Sequence, residues 1–304
     1  MNTAPTRVCF VGGVGRSGST LLELLLAQVP GTVTLGETIH LLERGLAADE
    51  RCTCGESFSR CALWAAVGEA AFGGWPYDCV DELLALQRQV DKHRYVPRLL
   101  HPRGAFATRL DAYVGGFLEP VLAAAARVTG AWLVVDTSKH PSHEMVLDRS
   151  PGLDVRTVHL VRRPEGVAYS WSKEVRRPEV ASGDVSMPRY SAGRSALRWV
   201  AWNSLLELEA RRRHRTLRLR YEDLVADPEA AVDGVVRHCG GVPGREGAPP
   251  VVHGIGGNPV RFGGGVPVIR ADDGWREGLT PAQRRLVVAL SAPLRRAYGY
   301  AGAA

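Results

Sequence analysis

The run Gly13-Val14-Gly15-Arg16-Ser17-Gly18-Ser19-Thr20 joins an apolar stretch, Val8-Cys9-Phe10-Val11, to a leucine-rich helical pattern, Leu21-Leu22-Glu23-Leu24-Leu25-Leu26. A strand, a glycine-rich turn and a helix start present backbone N–H groups and the positive end of a helix dipole, and together they hold anions. Loops of this type that bind ATP or GTP end in Gly-Lys-Ser/Thr. Here Ser19 stands where that lysine would be, and Arg16 supplies a cation from inside the loop. The chemistry implied is the binding of a phosphate-like anion without ordinary ATP or GTP hydrolysis.

Three more polar clusters follow strand-like runs: Gly36-Glu37-Thr38, Asp136-Thr137-Ser138-Lys139-His140 and Arg162-Arg163-Pro164. Ligands of open parallel sheets bind outside the C-terminal ends of the strands. Four clusters at such ends therefore share one crevice, which is stronger evidence for a site than any of them alone.

The elements that must position these residues can be read from periodicity. Strands are expected at 7–12, 32–35, 132–136, 155–161 and 216–220, and apolar runs such as Trp132-Leu133-Val134-Val135 suit strands covered on both faces. Helices are expected at 20–28, 165–176, 194–213, 228–239 and 281–298, with several more across 77–129. Alternating strands and helices predict an α/β fold: a P-loop-containing, doubly wound, mainly parallel sheet in one domain of 304 residues, with a helical, cysteine-containing insertion at about 44–129. Trp199, Trp202 and Leu206 share one helical face and read as core, although Trp202 and Asn203 could face a ligand. Long polar segments at 178–194, 240–250 and 254–273 are expected to be functional loops, the first and last closing over a ligand.

Composition narrows the class. The apolar fraction of 45% supports a sizeable core. A net charge of +6 favours anionic ligands but is not clustered as in a nucleic-acid-binding arm. The densest basic run, Arg211-Arg212-Arg213-His214-Arg215, falls at a helix C-terminus, where cations are favoured. No signal-peptide pattern and no apolar run of membrane-spanning length occurs, so a soluble, cytoplasmic protein without nucleic-acid or membrane partners is expected, with homo-oligomerisation left open. Richness in Ala, Arg and Gly suggests a bacterial source.

Cys52, Cys54 and Cys61 lie close together, with one residue between the first two where common zinc knuckles have two. No fourth ligand is obvious, although His40 or Cys79 could lie nearby. The expectation is a compact loop of thiols, paired or reduced, rather than a metal centre. Cys9 and Cys239 read as core residues.

The chain resembles sulfotransferases that use 3′-phosphoadenosine-5′-phosphosulfate (PAPS), particularly the carbohydrate, tyrosylprotein and bacterial branches. Arg16-Ser17-Gly18-Ser19-Thr20-Leu21-Leu22 is similar to their 5′-phosphosulfate loop, and Val161-Arg162-Arg163-Pro164 followed by Ser170 to their 3′-phosphate motif. The resemblance follows the order of elements from Arg7 to about Asp227, including Tyr221-Glu222-Asp223-Leu224. It implies that Gly15, Arg16, Ser17, Gly18, Ser19 and Thr20 hold the 5′-phosphosulfate, and that Arg162 and Ser170 read the 3′-phosphate. Glu37 would be the general base, with His40 and then His140 as alternatives, and Lys139 the cation facing the leaving group. Arg261 and Arg270 are further candidates, because the segment 257–265 only loosely resembles the basic, glycine-rich 3′-phosphate loop of the cytosolic branch. That branch also has lysine where this chain has Arg16. The implied reaction moves a sulfuryl group to a hydroxyl of a carbohydrate, lipid, phenolic compound or peptide and requires no metal. The rivals are a P-loop kinase of a small metabolite, which would need magnesium, and a non-catalytic nucleotide-binding protein.

Overall fold

The structure, a computed structural model, describes residues 4–177, 185–244, 252–263 and 268–300. Among them, strands β1 (Thr6–Gly12), β2 (Thr32–Thr34), β3 (Leu133–Lys139), β4 (Leu153–Val161) and β5 (Thr216–Arg220) form a parallel sheet in the order β2-β3-β1-β4-β5. The chain winds to one side of β1 through β3 and to the other through β4, so the strand order reverses at β1, where a doubly wound sheet opens its crevice.

The apolar strand runs are buried on both faces. Val8 and Phe10 of β1 and Val134 of β3 pack into one core layer, while Cys9, Val11, Leu133 and Val135 point into the opposite one, following the two-residue period of a strand. The second layer is closed by α1 (Ser19–Leu26) and, from the far end of the chain, the helix Pro228–His238. The first is closed by helices between β2 and β3: α2 (Ala62–Phe72), α3 (Val80–Val90), α4 (Val96–Leu100), α5 (Gly104–Tyr113) and α6 (Glu119–Thr129). A π-helical segment, Leu41–Ala47, opens this block. After β3 comes α7 (Pro141–Leu147), after β4 come α8 (Pro164–Ser172) and α9 (Ala192–Arg213), and after β5 come α10 (Tyr221–Ala226), α11 (Pro228–His238), α12 (Trp275–Gly278) and α13 (Pro281–Ala297). Cys9 and Cys239 are core residues of the second layer.

Two boundaries differ from the sequence reading in ways that matter for the site. β3 runs on to Lys139 rather than stopping at Asp136. Phe10 pairs with Asp136 and Gly12 with Lys139, so β3 carries one extra residue, and this bulge turns Lys139 into a left-handed conformation with φ 69°. α8 ends at Ser172, not near Arg176, because the next residues pair with another segment instead. The Arg177 N–H donates to the Val185 carbonyl at 2.8 Å, and the Met187 N–H to that of Val175 at 2.7 Å. The expected loops at 178–194, 240–250 and 254–273 lie partly outside the described residues.

Candidate active site

A cavity of about 530 Å³ opens at the C-terminal ends of the strands. Its floor is the loop between β1 and α1. The Gly13 N–H donates to the Lys139 carbonyl at 3.2 Å, and the Ser17 N–H to that of Val14 at 3.1 Å. Gly18 caps α1 at φ 99°, and a Cβ there would come within 2.4 Å of the Tyr221 ring, so both conformation and space demand glycine. Arg16 is itself left-handed, at φ 75°. Its guanidinium lies 4.9 Å from the centre of the Trp171 ring and donates to Met187 Sδ at 3.1 Å. Arg16 Nε and Ser17 Oγ are buried and find no hydrogen-bond partner among the described residues. Gly15, Gly18, Ser19 and Thr20 also line the cavity, at the positive end of the α1 dipole.

Glu37 and Lys139 meet across the mouth of this loop. Lys139 Nζ is 2.6 Å from Glu37 Oε1, and His40 Nε2 is 3.5 Å from Glu37 Oε2. Lys139 also donates to the Thr137 carbonyl at 3.0 Å. Burial disfavours ionisation of Glu37, but the charges of Lys139, His40 and Arg44, with the Lys139 hydrogen bond, outweigh it and hold the carboxyl below its ordinary value. His40 moves the opposite way. Burial, aided by Arg44 and Lys139 and opposed by Glu37, lowers it to about 4, so its ring is neutral at pH 7. Burial and the nearby histidines also push His140 well down. The third cluster's acid, Asp136, does not face the cavity. It accepts from Ser138 and Thr38 and lies 3.4 Å from His143 Nε2, while His143 Nδ1 is 2.5 Å from Asp91. Burial opposes charge on His143, but the two carboxylates prevail and raise it to about 10. This buried Asp91–His143–Asp136 group ties the Glu37 turn to the Lys139 strand end, since Ser138 Oγ also accepts from the Ile39 N–H at 3.0 Å.

On the other side of the loop, Arg162 Nη1 donates to the Arg16 carbonyl at 2.9 Å, and its guanidinium stacks over Tyr221 at 4.4 Å. Arg162 Nη2 is held by Asp272 at 2.6 Å. Ser170, on α8, lines the same wall, as does the exposed Arg270. Arg261 does not line the cavity; it is buried, at 4% exposure. Its charge opposes the burial that raises Glu23 to about 7. Among the described residues, six cationic side chains, those of Arg16, Arg44, Lys139, Arg162, Arg198 and Arg270, line the cavity against two carboxylates, Glu37 and Asp272. A shallower depression of about 760 Å³ lies at the opposite end of the strands, where Arg213 pairs with Asp148 and Arg215 with Asp154; none of the four polar clusters lines it.

The reading of Trp202 as core is corrected. Trp199 and Leu206 are buried, and Trp199 Nε1 donates to the Arg162 carbonyl at 2.9 Å. Trp202 instead faces the cavity, stacked on His93 at 4.6 Å and edge-on to His140 at 4.7 Å. Asn203 faces away and bonds His159. Sequence reasoning missed Asp272, Met187 and Tyr190, which lie in long loops with no residue motif, Arg198, which lies on the expected helix but was not singled out, and His143, whose partner Asp91 lies 52 residues earlier. It also missed His253. That residue, not His40 or Cys79, joins Cys52, Cys54 and Cys61, because the segment after 251 returns alongside β2.

The model of the sulfotransferase family described as Sulfotransfer_3 matches residues 9–243. No curated protein matches the chain with significance. Among solved structures, the chain is similar to the sulfotransferase domain of the olefin synthase of Synechococcus PCC 7002, at 21% identity and TM-score 0.52 over 96% of each chain. That likeness shows the shared fold. A sulfotransferase domain from the curacin biosynthetic pathway matches at 17% identity and TM-score 0.47, over 95% of this chain and 99% of the other. A Mycobacterium avium sulfotransferase matches at 14% and 0.46, over 97% and 77%. With its family match running from β1 past β5 and through every strand that feeds the crevice, the chain belongs to the sulfotransferase family.

Proposed function

We propose that this sulfotransferase takes its sulfuryl group from PAPS and delivers it to a hydroxyl of the acceptor, with Glu37 as general base. The observation that carries this reading is the Glu37–Lys139 pair, 2.6 Å apart at the mouth of an anion-binding loop. The donor would supply an activated sulfuryl group on a phosphate, and the cavity suits it: among the described residues cations outnumber carboxylates in its lining, and Arg16 Nε and Ser17 Oγ are buried without partners. Arg16, with the loop N–H groups and the Ser19 and Thr20 hydroxyls, binds the 5′-phosphosulfate; the guanidinium fork can take two oxygens. Arg162 and Ser170 bind the 3′-phosphate, Arg162 exchanging Asp272 for it, with Arg270 at the rim. Glu37 takes the acceptor proton as the acceptor oxygen bonds to sulfur and the bond from sulfur to the phosphate oxygen breaks. Lys139 stabilises the negative charge left on that oxygen, where an oriented cation acts most strongly.

The Glu37–Lys139 pairing has a use. While Lys139 holds Glu37, the carboxyl stays ionised and ready to accept a proton. When the ammonium turns toward the anionic donor, the foremost influence lowering Glu37 weakens, and the carboxylate becomes the stronger base. The acceptor then lies toward the neutral imidazoles and Trp202, with the helical block at 44–129 shaping its entry.

Calorimetric titration with 3′,5′-bisphosphoadenosine, AMP and ATP, with and without magnesium, tests the donor assignment. The bisphosphate should bind much more tightly than AMP and without magnesium. Saturation at about 100 times its Kd should stabilise the protein by about 2.7 kcal/mol. Tight binding of ATP with magnesium and none of the bisphosphate would instead support a kinase.

A further inference from the structure

The sulfur atoms of Cys52, Cys54 and Cys61 and a ring nitrogen of His253 lie within 4.8 Å of one another. Cys61 Sγ is 3.6 Å from Cys52 Sγ and 3.7 Å from Cys54 Sγ. His253 Nδ1 is 3.1 Å from Cys61 Sγ and 3.8 Å from Cys52 Sγ. These are the edges of a small tetrahedron. Zinc–sulfur bonds of about 2.3 Å at tetrahedral angles place sulfurs about 3.8 Å apart, and a nitrogen about 3.6 Å from each sulfur. A disulfide needs about 2.05 Å between sulfurs, so the separations fit four ligands around one ion and not a covalent pair.

We propose that Cys52, Cys54, Cys61 and His253 form a structural zinc site. Its surroundings are those of a ligand cluster. The Gly55 N–H closes a turn onto the Cys52 carbonyl at 2.9 Å, with Gly55 at φ 98°, so the chain doubles back between the second and third cysteines. Cys52 and Cys61 are fully buried, while Cys54 is exposed and gives the ion a way in. Four protein ligands close the tetrahedron and leave no position for substrate, which marks a structural rather than a catalytic zinc.

The site joins parts of the chain about two hundred residues apart in sequence. Thr53 donates from both its N–H and its Oγ1 to the Gly254 carbonyl, at 3.2 and 3.1 Å. Ile255 then pairs with the end of β2: its N–H donates to the Leu35 carbonyl at 3.1 Å, and its carbonyl accepts from the Glu37 N–H at 2.7 Å. Three residues on, the Asn258 N–H reaches Thr20 Oγ1 at 3.4 Å. An ion held by His253 therefore fixes the strip of backbone that supports Glu37 from behind and lies against the start of α1. Because metal binding couples directly to folding, the ion stabilises that strip against the helical block. The proposal stands independently of the assignment of the sulfuryl donor.

The test is metal analysis of the full-length protein purified without chelator or affinity metal. It should contain about one zinc per chain, the stoichiometry of a closed four-ligand site. Cys54→Ser alters the exposed ligand with least disturbance to packing and should lose most of the metal, as should His253→Ala, while Cys79→Ser, outside the cluster, keeps it. Replacing zinc with cobalt in the wild-type protein should give thiolate charge-transfer bands and the intense visible absorption of a tetrahedral ion, a readout that needs no variant to fold. Chelation should lower Tm in the wild type and leave Cys54→Ser unchanged. Metal-free protein in which the thiols of Cys52, Cys54 and Cys61 all react freely, a disulfide among these three cysteines on non-reducing mass analysis, or full zinc retention in Cys54→Ser together with His253→Ala would each overturn the proposal.

Discussion

Glu37 keeps its charge because Lys139 lies 2.6 Å away, and this contact makes several outcomes measurable. Glu37→Gln preserves size and hydrogen bonding but cannot take a proton at neutral pH; kcat should fall about 10²–10⁴-fold, with little change in bisphosphate affinity. The acid limb of kcat/KM should vanish in the same variant. Near-normal turnover in Glu37→Gln alongside a large loss in His40→Ala would transfer the role of base to the neutral imidazole. Arg16→Ala should abolish turnover and Arg16→Lys retain part of it, because charge survives and the fork does not; an active alanine variant would refute the assignment. At Arg162, loss of a charge-assisted contact should cost on the order of 1.5–3 kcal/mol toward 3′,5′-bisphosphoadenosine and little toward AMP. Asp272→Asn supplies the converse. It frees Arg162 from its 2.6 Å partner and removes a negative charge, so the bisphosphate should bind several-fold more tightly. Unchanged affinity in Asp272→Asn would show that no phosphate takes the carboxylate's place.

At the scale of elements, the site depends on how two strand ends are locked together. The bulge in β3 delivers Lys139, and the Asp91–His143–Asp136 group behind it holds α3, α7 and the strand end in one arrangement. His143 is fully buried between two carboxylates, so His143→Gln leaves buried charge without compensation and should destabilise the protein by about 3–5 kcal/mol in urea titration. A loss under 1 kcal/mol would show that the group is not ionised. The β1–α1 loop was legible because its signal is local: glycines, a short apolar run and a helix start fall within twenty residues. The β3 bulge was not, because an extra residue in a strand is defined only by its partner, and nothing in Asp136-Thr137-Ser138-Lys139 marks it. The early end of α8 has the same origin: pairing of Val175 and Arg177 with Val185 and Met187 outweighed a helical pattern that would otherwise have continued.

For the molecule as a whole, the buried histidines set opposite slopes of stability against pH. His143 is raised from an ordinary 6.5 to about 10. Between those values the folded state holds a proton that the unfolded state has released, so its stabilisation is complete below about pH 6.5 and is lost as pH rises through about 10. His40 and His140 are lowered, so the unfolded state takes up their protons first, and stability falls as pH drops from about 6.5 toward the value near 4 of His40. Tm should therefore peak near neutrality, with the alkaline decline flattened in His143→Gln; an unchanged alkaline slope in that variant would place the titrating group elsewhere. High salt should weaken bisphosphate binding, since the cavity gathers six cations.

Sequence pattern alone reached the parallel α/β fold, the glycine-rich β1–α1 loop and the set of strand ends that converge on it, because strand period, glycine turns and charged strand-end clusters are written in consecutive residues. Glu37, Lys139, Arg16 and Arg162 were nameable on those grounds, and Ser170 only through the family resemblance; all five line one cavity. Folding in three dimensions settled which neighbours each of them has. Asp272 comes to Arg162 across 110 residues, Met187 to Arg16 across 171, and His253 to Cys61 across 192. Trp202 turned to the cavity while Trp199, three residues before it, turned to the core, because the helical period fixes only the angle between them and packing against α8 and α13 fixes which face looks inward. Contacts of that kind carry no signature in the chain: each is made by two unremarkable stretches whose meeting is fixed by the burial of everything between them.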